Sequence, residues 1–512
     1  MKTTVPNPFD HVFTYMLLTI LTLSTCSQPG TESDESEKVL PYIRYNADSK
    51  GGVKALTAMS VALKEMKKLP CKNPVSWYYQ GAIHWVPDTV LNGNPFCPIY
   101  QSVKDTLKAW NNCTHISGDA NSDYQFLIWH RLYIWHFEKV IRKFSKDKKF
   151  ALPFWRYVDP RYRKMPGELR KKTSSLYNSE RLDSLNNGQD ISKAFALELL
   201  DSATLTANES RTYSVFNSHI DEAPHGAMHD YIGGGWSNTP MFNSIYQAGP
   251  YTPTDTLFGW MTHVPSAGFD PVFWLHHANI DFLWNEWENS PNGERPSFQQ
   301  VADHPWHFVF PNPDGTFVTY TMREAYERAF NPDYIYDGAS PLISLETEAH
   351  DNLIKDAQLT VPKDSLINEA FPGKAIGSGM TKLALEGELK STFNQVSSAS
   401  TLLKQNGDKK EFIIEIEVSF KREPKGGFVV YLDDEGETDG DQGLFLGVMS
   451  FFGAAHHASS HKGHKEQSLR KTFLFDASDE VLNAGETPHL IFKRTGGGNV
   501  GIVVERISVY LY

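Results

Sequence analysis

The chain is poor in cysteine. Only Cys26, Cys71, Cys97 and Cys113 occur in 512 residues, too few for a disulfide scaffold or a cysteine-rich zinc or iron–sulfur protein. A long basic run is also missing. Lys and Arg number 49 against 61 Asp and Glu, a formal charge of -12, which argues against a nucleic-acid partner. No internal repeat is visible. The glycine run Gly496 to Gly498 follows a strand pattern with no helix after it, so it reads as a hairpin tip and not as a phosphate cradle. With 40% hydrophobic and 13% aromatic residues, neither disorder nor a polytopic membrane protein fits. Nineteen histidines are what stands out.

The N-terminus reads as an export signal, residues 1–25. Val12 to Ser24 is an uncharged, mostly apolar run of 13 residues, short for a membrane span and suited to a signal core. It ends in Leu23-Ser24-Thr25-Cys26, which resembles a bacterial lipoprotein cleavage box with Cys26 as the lipidated residue. Export to the periplasm, or a membrane-anchored lipoprotein, is the expectation. Residues 26–40 are polar and acidic, as a tether would be.

Residues 41–338 are rich in tryptophan and carry helical apolar spacing at Ala55 to Met66, Tyr124 to Phe144 and Phe273 to Trp287. Residues 339–375 lose aromatics and read as a linker. From 376 to 512 the texture turns to alternation, as in Glu411 to Val418, Gly427 to Tyr431 and Val500 to Val504, which predicts strands. The expected fold is therefore α+β and multidomain, with a mainly helical domain before a C-terminal antiparallel β-sandwich or barrel.

His225 and His229 are spaced i, i+4, so on a helix both imidazoles can reach one metal. His276 and His277 are adjacent within Asp270 to Asp281. They point about 100° apart on a helix, so one of them joins that metal. His130 opens an apolar helix, His84 ends an aromatic run, and His115 follows Cys113-Thr114. Imidazoles without carboxylates or thiolates suit copper, zinc, iron or nickel. Two all-histidine trios favour a copper pair over di-iron, which takes mostly glutamates.

These segments resemble the tyrosinase, catechol oxidase and haemocyanin family of type 3 dicopper proteins. Asp270 to Asp281 resembles the copper B signature, which implies His277 as the ligand of the adjacent pair, joined by His225 and His229. Phe126 to Glu138 resembles the copper A signature, implying His130, and His84 matches the first copper A ligand; Pro153-Phe154-Trp155 adds to the likeness. The second copper A histidine usually lies nine residues before the third. That position here is Asn121, whereas His115 lies fifteen before. Cys113, two residues before His115, is placed as in relatives where a thioether joins this cysteine to the histidine, which implies His115 as the ligand with a Cys113–His115 crosslink. Cys71 and Cys97 then remain, either as a disulfide in an oxidising compartment or as two free thiols.

The resemblance implies a four-helix-bundle core and two copper ions. It implies an enzyme that uses dioxygen to oxidise a phenolic substrate to an o-quinone. Asp281, one turn after His277, is expected to orient a ligand, and His276 to line the pocket. Val264 falls at the gating position thirteen residues before His277 and leaves the entrance open. Asp221 or Glu222 could supply the acidic residue that holds a water for monophenols. Gly226 stands where the partner asparagine is often found, so catechol oxidation is favoured over monophenol hydroxylation. Residues Phe445-Leu446-Gly447 and Arg506 to Tyr512 resemble the shielding domain of plant polyphenol oxidases, which implies latency. The loop His456 to His464 reads as solvated, with surface metal binding as its other reading. Haemocyanin-like oxygen carriage and o-aminophenol oxidation are the alternatives.

Overall fold

Ser49 accepts a hydrogen bond from the Gly52 amide and starts a helix at Lys50 that runs to Met66. A serine hydroxyl here satisfies one of the amides that a helix start leaves open. The structure, a computed structural model, describes residues 41–84, 125–191, 210, 212–234, 259–262, 264–298, 308–338, 366–377, 379–393, 412–421, 424, 427–434, 444–451, 468–477, 488–494 and 501–511. The export signal, the tether, Cys97, Cys113, His115, the His456 to His464 loop, the Gly496 to Gly498 tip and most of the linker lie outside them.

Two further long helices join Lys50–Met66 in the first half. Gln125–Ser145 covers the expected segment from Gln125 to Phe144, and Tyr124 lies outside the described residues. Pro271–Glu288 is opened by Asp270, whose carboxylate accepts the Val272 amide, and has Pro271 in its first turn. Seventeen of its eighteen residues are buried, so it is a central helix wrapped on every side. Shorter pieces surround these two: Trp77–Ala82, Tyr213–Ile220 and Ala227–Ile232. The last two are joined by a wide turn, Asp221–Gly226, where Ala223 is extended (φ -149, ψ 130) and Pro224 interrupts the ladder. The described residues of this half thus hold three long helices, Lys50–Met66, Gln125–Ser145 and Pro271–Glu288, and a broken fourth position, and they do not confirm the expected four-helix bundle.

Short strands close this half. β1 (Tyr42–Arg44) pairs in parallel with β4 (Tyr334–Tyr336), and β2 (Phe308–Pro311) with β3 (Phe317–Tyr320) antiparallel. The helix Met322–Phe330 between β3 and β4 starts in a reciprocal Thr321–Glu324 cap.

The C-terminal half is β. One sheet orders β10 (Leu444–Ser450), β9 (Gly427–Asp434), β12 (Pro488–Arg494) and β7 (Met380–Ala384). The other orders β11 (Leu469–Asp476), β8 (Phe412–Phe420), β13 (Ile502–Leu511) and β5 (Leu366–Ala370), with β6 (Lys374–Ile376) also on β13. Alternate residues Phe412, Ile414, Ile416, Val418 and Phe420 of β8 share one apolar core with Phe428, Val430 and Leu432 of β9, the period-2 pattern of a half-buried strand. The sheets are antiparallel throughout, and no described pairing closes them into a barrel. Alternation cannot tell a sandwich from a barrel, because both bury every second residue.

Candidate metal centre

Helix spacing decides which histidines meet. His130 sits in the first turn and a half of Gln125–Ser145, and its Nδ1 bonds back to the Phe126 carbonyl at 2.8 Å. His84 lies just beyond Trp77–Ala82, with Nδ1 2.9 Å from the Val264 carbonyl. That reach needs close backbone contact at Gly81 and Gly268. A Cβ at 81 would come 2.9 Å from the Gly268 carbonyl oxygen, and one at 268 would come 2.6 Å from that of Gly81. His225 Nδ1 faces the Asp221 carbonyl at 3.0 Å and its carboxylate at 2.9 Å. His229 Nδ1 bonds the Met261 carbonyl at 2.9 Å.

A carbonyl oxygen only accepts, so in these four rings Nδ1 carries the hydrogen and Nε2 keeps the lone pair. The backbone therefore fixes both tautomer and ring plane, as orienting partners do for metal-bound imidazoles. The nitrogens converge in two buried groups whose ligand atoms lie within 4.8 Å of one another: His225, His229, His276 and His277 in one, His84, His130 and His277 in the other. His277 joins the groups. Its ring stacks on His130 at 4.2 Å and 4°, and its Nε2 is 3.5 Å from Nε2 of His229. Burial, and then the neighbouring imidazoles, hold His229, His276 and His277 well below the ordinary histidine range, so all three are neutral donors near pH 7. Neither group includes a carboxylate or a thiolate, and a neutral, imidazole-only donor set fits copper.

Of the other expected residues, Asp221 meets His225 directly. Glu222 turns to the C-terminal sheets, where Lys471 Nζ lies 2.7 Å away and the Ser450 amide donates at 2.7 Å. Val264 is buried, and what it brings to the described geometry is the carbonyl on His84. His276 Nδ1 pairs with Tyr157 Oη at 2.9 Å. Asp281 bonds no ring nitrogen. Its carboxylate accepts from Arg44 Nη1 at 2.7 Å, from Arg131 Nε, and from the Tyr334 and Tyr336 hydroxyls. Burial would raise this carboxyl, but Arg131 and Arg44 with the two hydroxyls hold it below the usual range. Since Arg131 follows His130 and Asp281 lies one turn beyond His277, this ion pair braces the two histidine-bearing long helices against each other. His115 and Cys113 fall outside the described residues. Cys71 is disulfide-bonded.

Sequence reasoning passed over Arg44, Tyr157, Tyr334, Tyr336, Ser450 and Lys471. Only Arg131 carried a local signal, through its place next to His130.

The common central domain of tyrosinase matches residues 74–200 and 161–290, which enclose both histidine groups. Tyrosinase HcTyr1 of Hahella sp. (strain CCB-MM4) is 25% identical over 448 residues, 83% of this chain and 88% of that protein. The chloroplastic polyphenol oxidase of Malus domestica is 24% identical over 447 residues, 82% of this chain and 69% of that one. In fold, the chain is similar to latent apple tyrosinase, with a TM-score of 0.61 and 19% identity over 92% of this chain and 97% of that one. The likeness to recombinant latent aurone synthase has a TM-score of 0.59 at 16% identity, over 92% and 89%. The fold likeness therefore extends through the C-terminal sheets. With the central domain matched and two buried imidazole groups suited to a pair of copper ions, the chain belongs to the tyrosinase and polyphenol oxidase family, copper-dependent oxidases of phenols.

Proposed function

We propose that the chain oxidises o-diphenols to o-quinones with dioxygen, with His84, His115 and His130 holding one copper ion and His225, His229 and His277 the other. The observation that carries this reading is the meeting of two imidazole groups at His277, with four rings already turned by backbone carbonyls. Bound copper supplies the redox chemistry with dioxygen. The chain's own part is orientation and exclusion of water. Val264, Phe126, Asp221 and Met261 fix the rings through their carbonyls, so little rearrangement is left for metal uptake. Phe273 packs on His84 at 4.7 Å and on His277 at 4.2 Å, and Phe126 on His130 and His225 at 4.6 and 4.7 Å, which keeps the site dry.

The preference for o-diphenols rests on Gly226. It offers no side-chain carboxamide beside His225, and a Cβ there would meet Ser450 Oγ at 2.5 Å. Latency is the second part of the reading, since β10 and β11 lie against the segment that carries His225 and His229. Export with lipidation at Cys26 is the third. A panel of catechol, tyrosine and o-aminophenol on copper-loaded protein, before and after limited proteolysis within 339–375, tests the substrate and latency readings. Quinone accumulating over many turnovers with catechol, and more after cleavage, is expected. Stoichiometric oxygen uptake without turnover would mark an oxygen carrier instead.

A further inference from the structure

The segment from Val215 to Asp230 has two faces. One carries His225 and His229. The other meets the C-terminal sheets at nearly every turn. Val215 packs with Ile413, Tyr510 and Leu474, and His219 Nε2 lies 3.1 Å from the Leu474 carbonyl. Ala223 and Ala227 pack on Val429 and Val448, with Tyr431 and Phe445 beside them. Asp230 attracts Arg494 of β12. The centre of this face is polar and buried. Glu222 Oε1 lies 2.7 Å from Lys471 Nζ, and its Oε2 accepts the Ser450 amide at 2.7 Å. Lys471 Nζ also donates to the Ser450 carbonyl at 2.8 Å. The triangle Glu222–Lys471–Ser450 is thus closed on itself, and the Ser450 side chain fills the space over Gly226.

This contact grips the chain where it is least able to hold itself. Asp221–Gly226 is the wide, proline-interrupted turn with Ala223 extended, so its amides and carbonyls lack a regular helical ladder. The same turn supplies the Asp221 carbonyl and carboxylate that orient His225. A small shift of the turn would swing that ring, and displaced orienting partners weaken metal binding by ~10–100-fold.

We infer that Glu222, Lys471 and Ser450 form a clamp through which the C-terminal sheets hold the 221–226 turn, and with it His225, in the geometry for copper B, making all three positioning residues of the metal centre. The inference rests on the reading of His225, His229 and His277 as one copper site. It gives the C-terminal domain a supporting role alongside any shielding one, so that removing the domain would expose the site and loosen one of its metals together.

The test uses the full-length, copper-loaded protein. Copper per chain and the rate of copper release to a fixed concentration of chelator are measured for wild type, Lys471→Met, Lys471→Arg, and the double variant Glu222→Gln/Lys471→Met. Hydrogen exchange of 221–229 is followed in parallel. In Lys471→Met one of the two copper ions should leave about 10-fold faster or more, the other at the wild-type rate, with faster exchange confined to 221–229. Lys471→Arg keeps the charge and should restore most of the retention. The double variant leaves no unpaired charge buried and so should fold, yet still release one copper faster. Both ions leaving the double variant at wild-type rates would overturn the clamp, whatever happens to the single variants. A wild-type protein holding fewer than two copper ions would instead defeat the reading of the site itself.

Discussion

Asp281→Asn removes a charge that three parts of the fold converge on. The carboxylate is almost fully buried and takes hydrogen bonds from two arginines and two tyrosines. Removing one partner of a buried ion pair costs about 3–5 kcal/mol, because the charge left behind stays desolvated. Here two charges are left, each with a second carboxylate: Arg44 keeps Glu138 at 2.8 Å, and Arg131 keeps Glu288 at 3.4 Å. Those residual pairs place the expected loss at the lower end, about 3 kcal/mol. At roughly 2 °C per kcal/mol for a large domain, Tm should fall by ~6 °C. Asp159→Asn is the control. Asp159 pairs with an Arg161 that is 71% exposed, and water and salt screen such a surface pair so that it adds little to stability. Urea and thermal unfolding of both variants decide the matter. If Asp281→Asn costs no more than Asp159→Asn, the buried network does not brace the two histidine-bearing helices.

Three further outcomes are expected from other contacts and from the N-terminal sequence. Burial pushes the Glu222 carboxyl up to about 7 from 4.5, against the pull of Lys471 and with Asp221 adding to the rise. The folded chain therefore binds this proton more tightly than the unfolded chain, so the group's stabilisation is full below 4.5 and is lost as pH rises to 7; Glu222→Gln should flatten the urea midpoint against pH in that window. Gly226→Ala should destabilise the chain by driving a methyl into Ser450, and Ser450→Gly added to it should recover most of the loss in a thermal melt, whereas an unaffected Gly226→Ala would show that the close approach is not tight. Cys26→Ser should shift the expressed protein from the membrane to the soluble fraction, and a membrane fraction unchanged by the substitution would refute lipidation there.

Local chemistry was legible and distant chemistry was not. The i, i+4 pair His225 and His229, the adjacent His276 and His277, and the apolar runs of the long helices declare themselves because their partners are a turn away. β8 and β9 were readable from alternation for the same reason. Arg44 and Asp281 are 237 residues apart, and Glu222 and Ser450 are 228 apart. No period connects residues so far apart, so only the folded chain joins them. The expectation that Asp281 would orient a histidine had the spacing right, but the carboxylate is drawn to two arginines, which attract it far more strongly than a neutral ring. The break at Ala223 and Pro224 likewise hid the full Val215–Asp230 face, since a continuous helical period was missing there. Gly226 could be seen as a departure from the family pattern, but the Ser450 side chain that a Cβ there would meet lies in a strand more than two hundred residues further on.

The most direct measurement is the copper content of the folded, copper-loaded chain, taken together with that of His229→Gln. Two copper ions per polypeptide in the wild type, and one in the variant with its fold intact by circular dichroism, is the result these two imidazole groups demand. A well-folded wild-type chain that holds one copper or none under the same loading would contradict it.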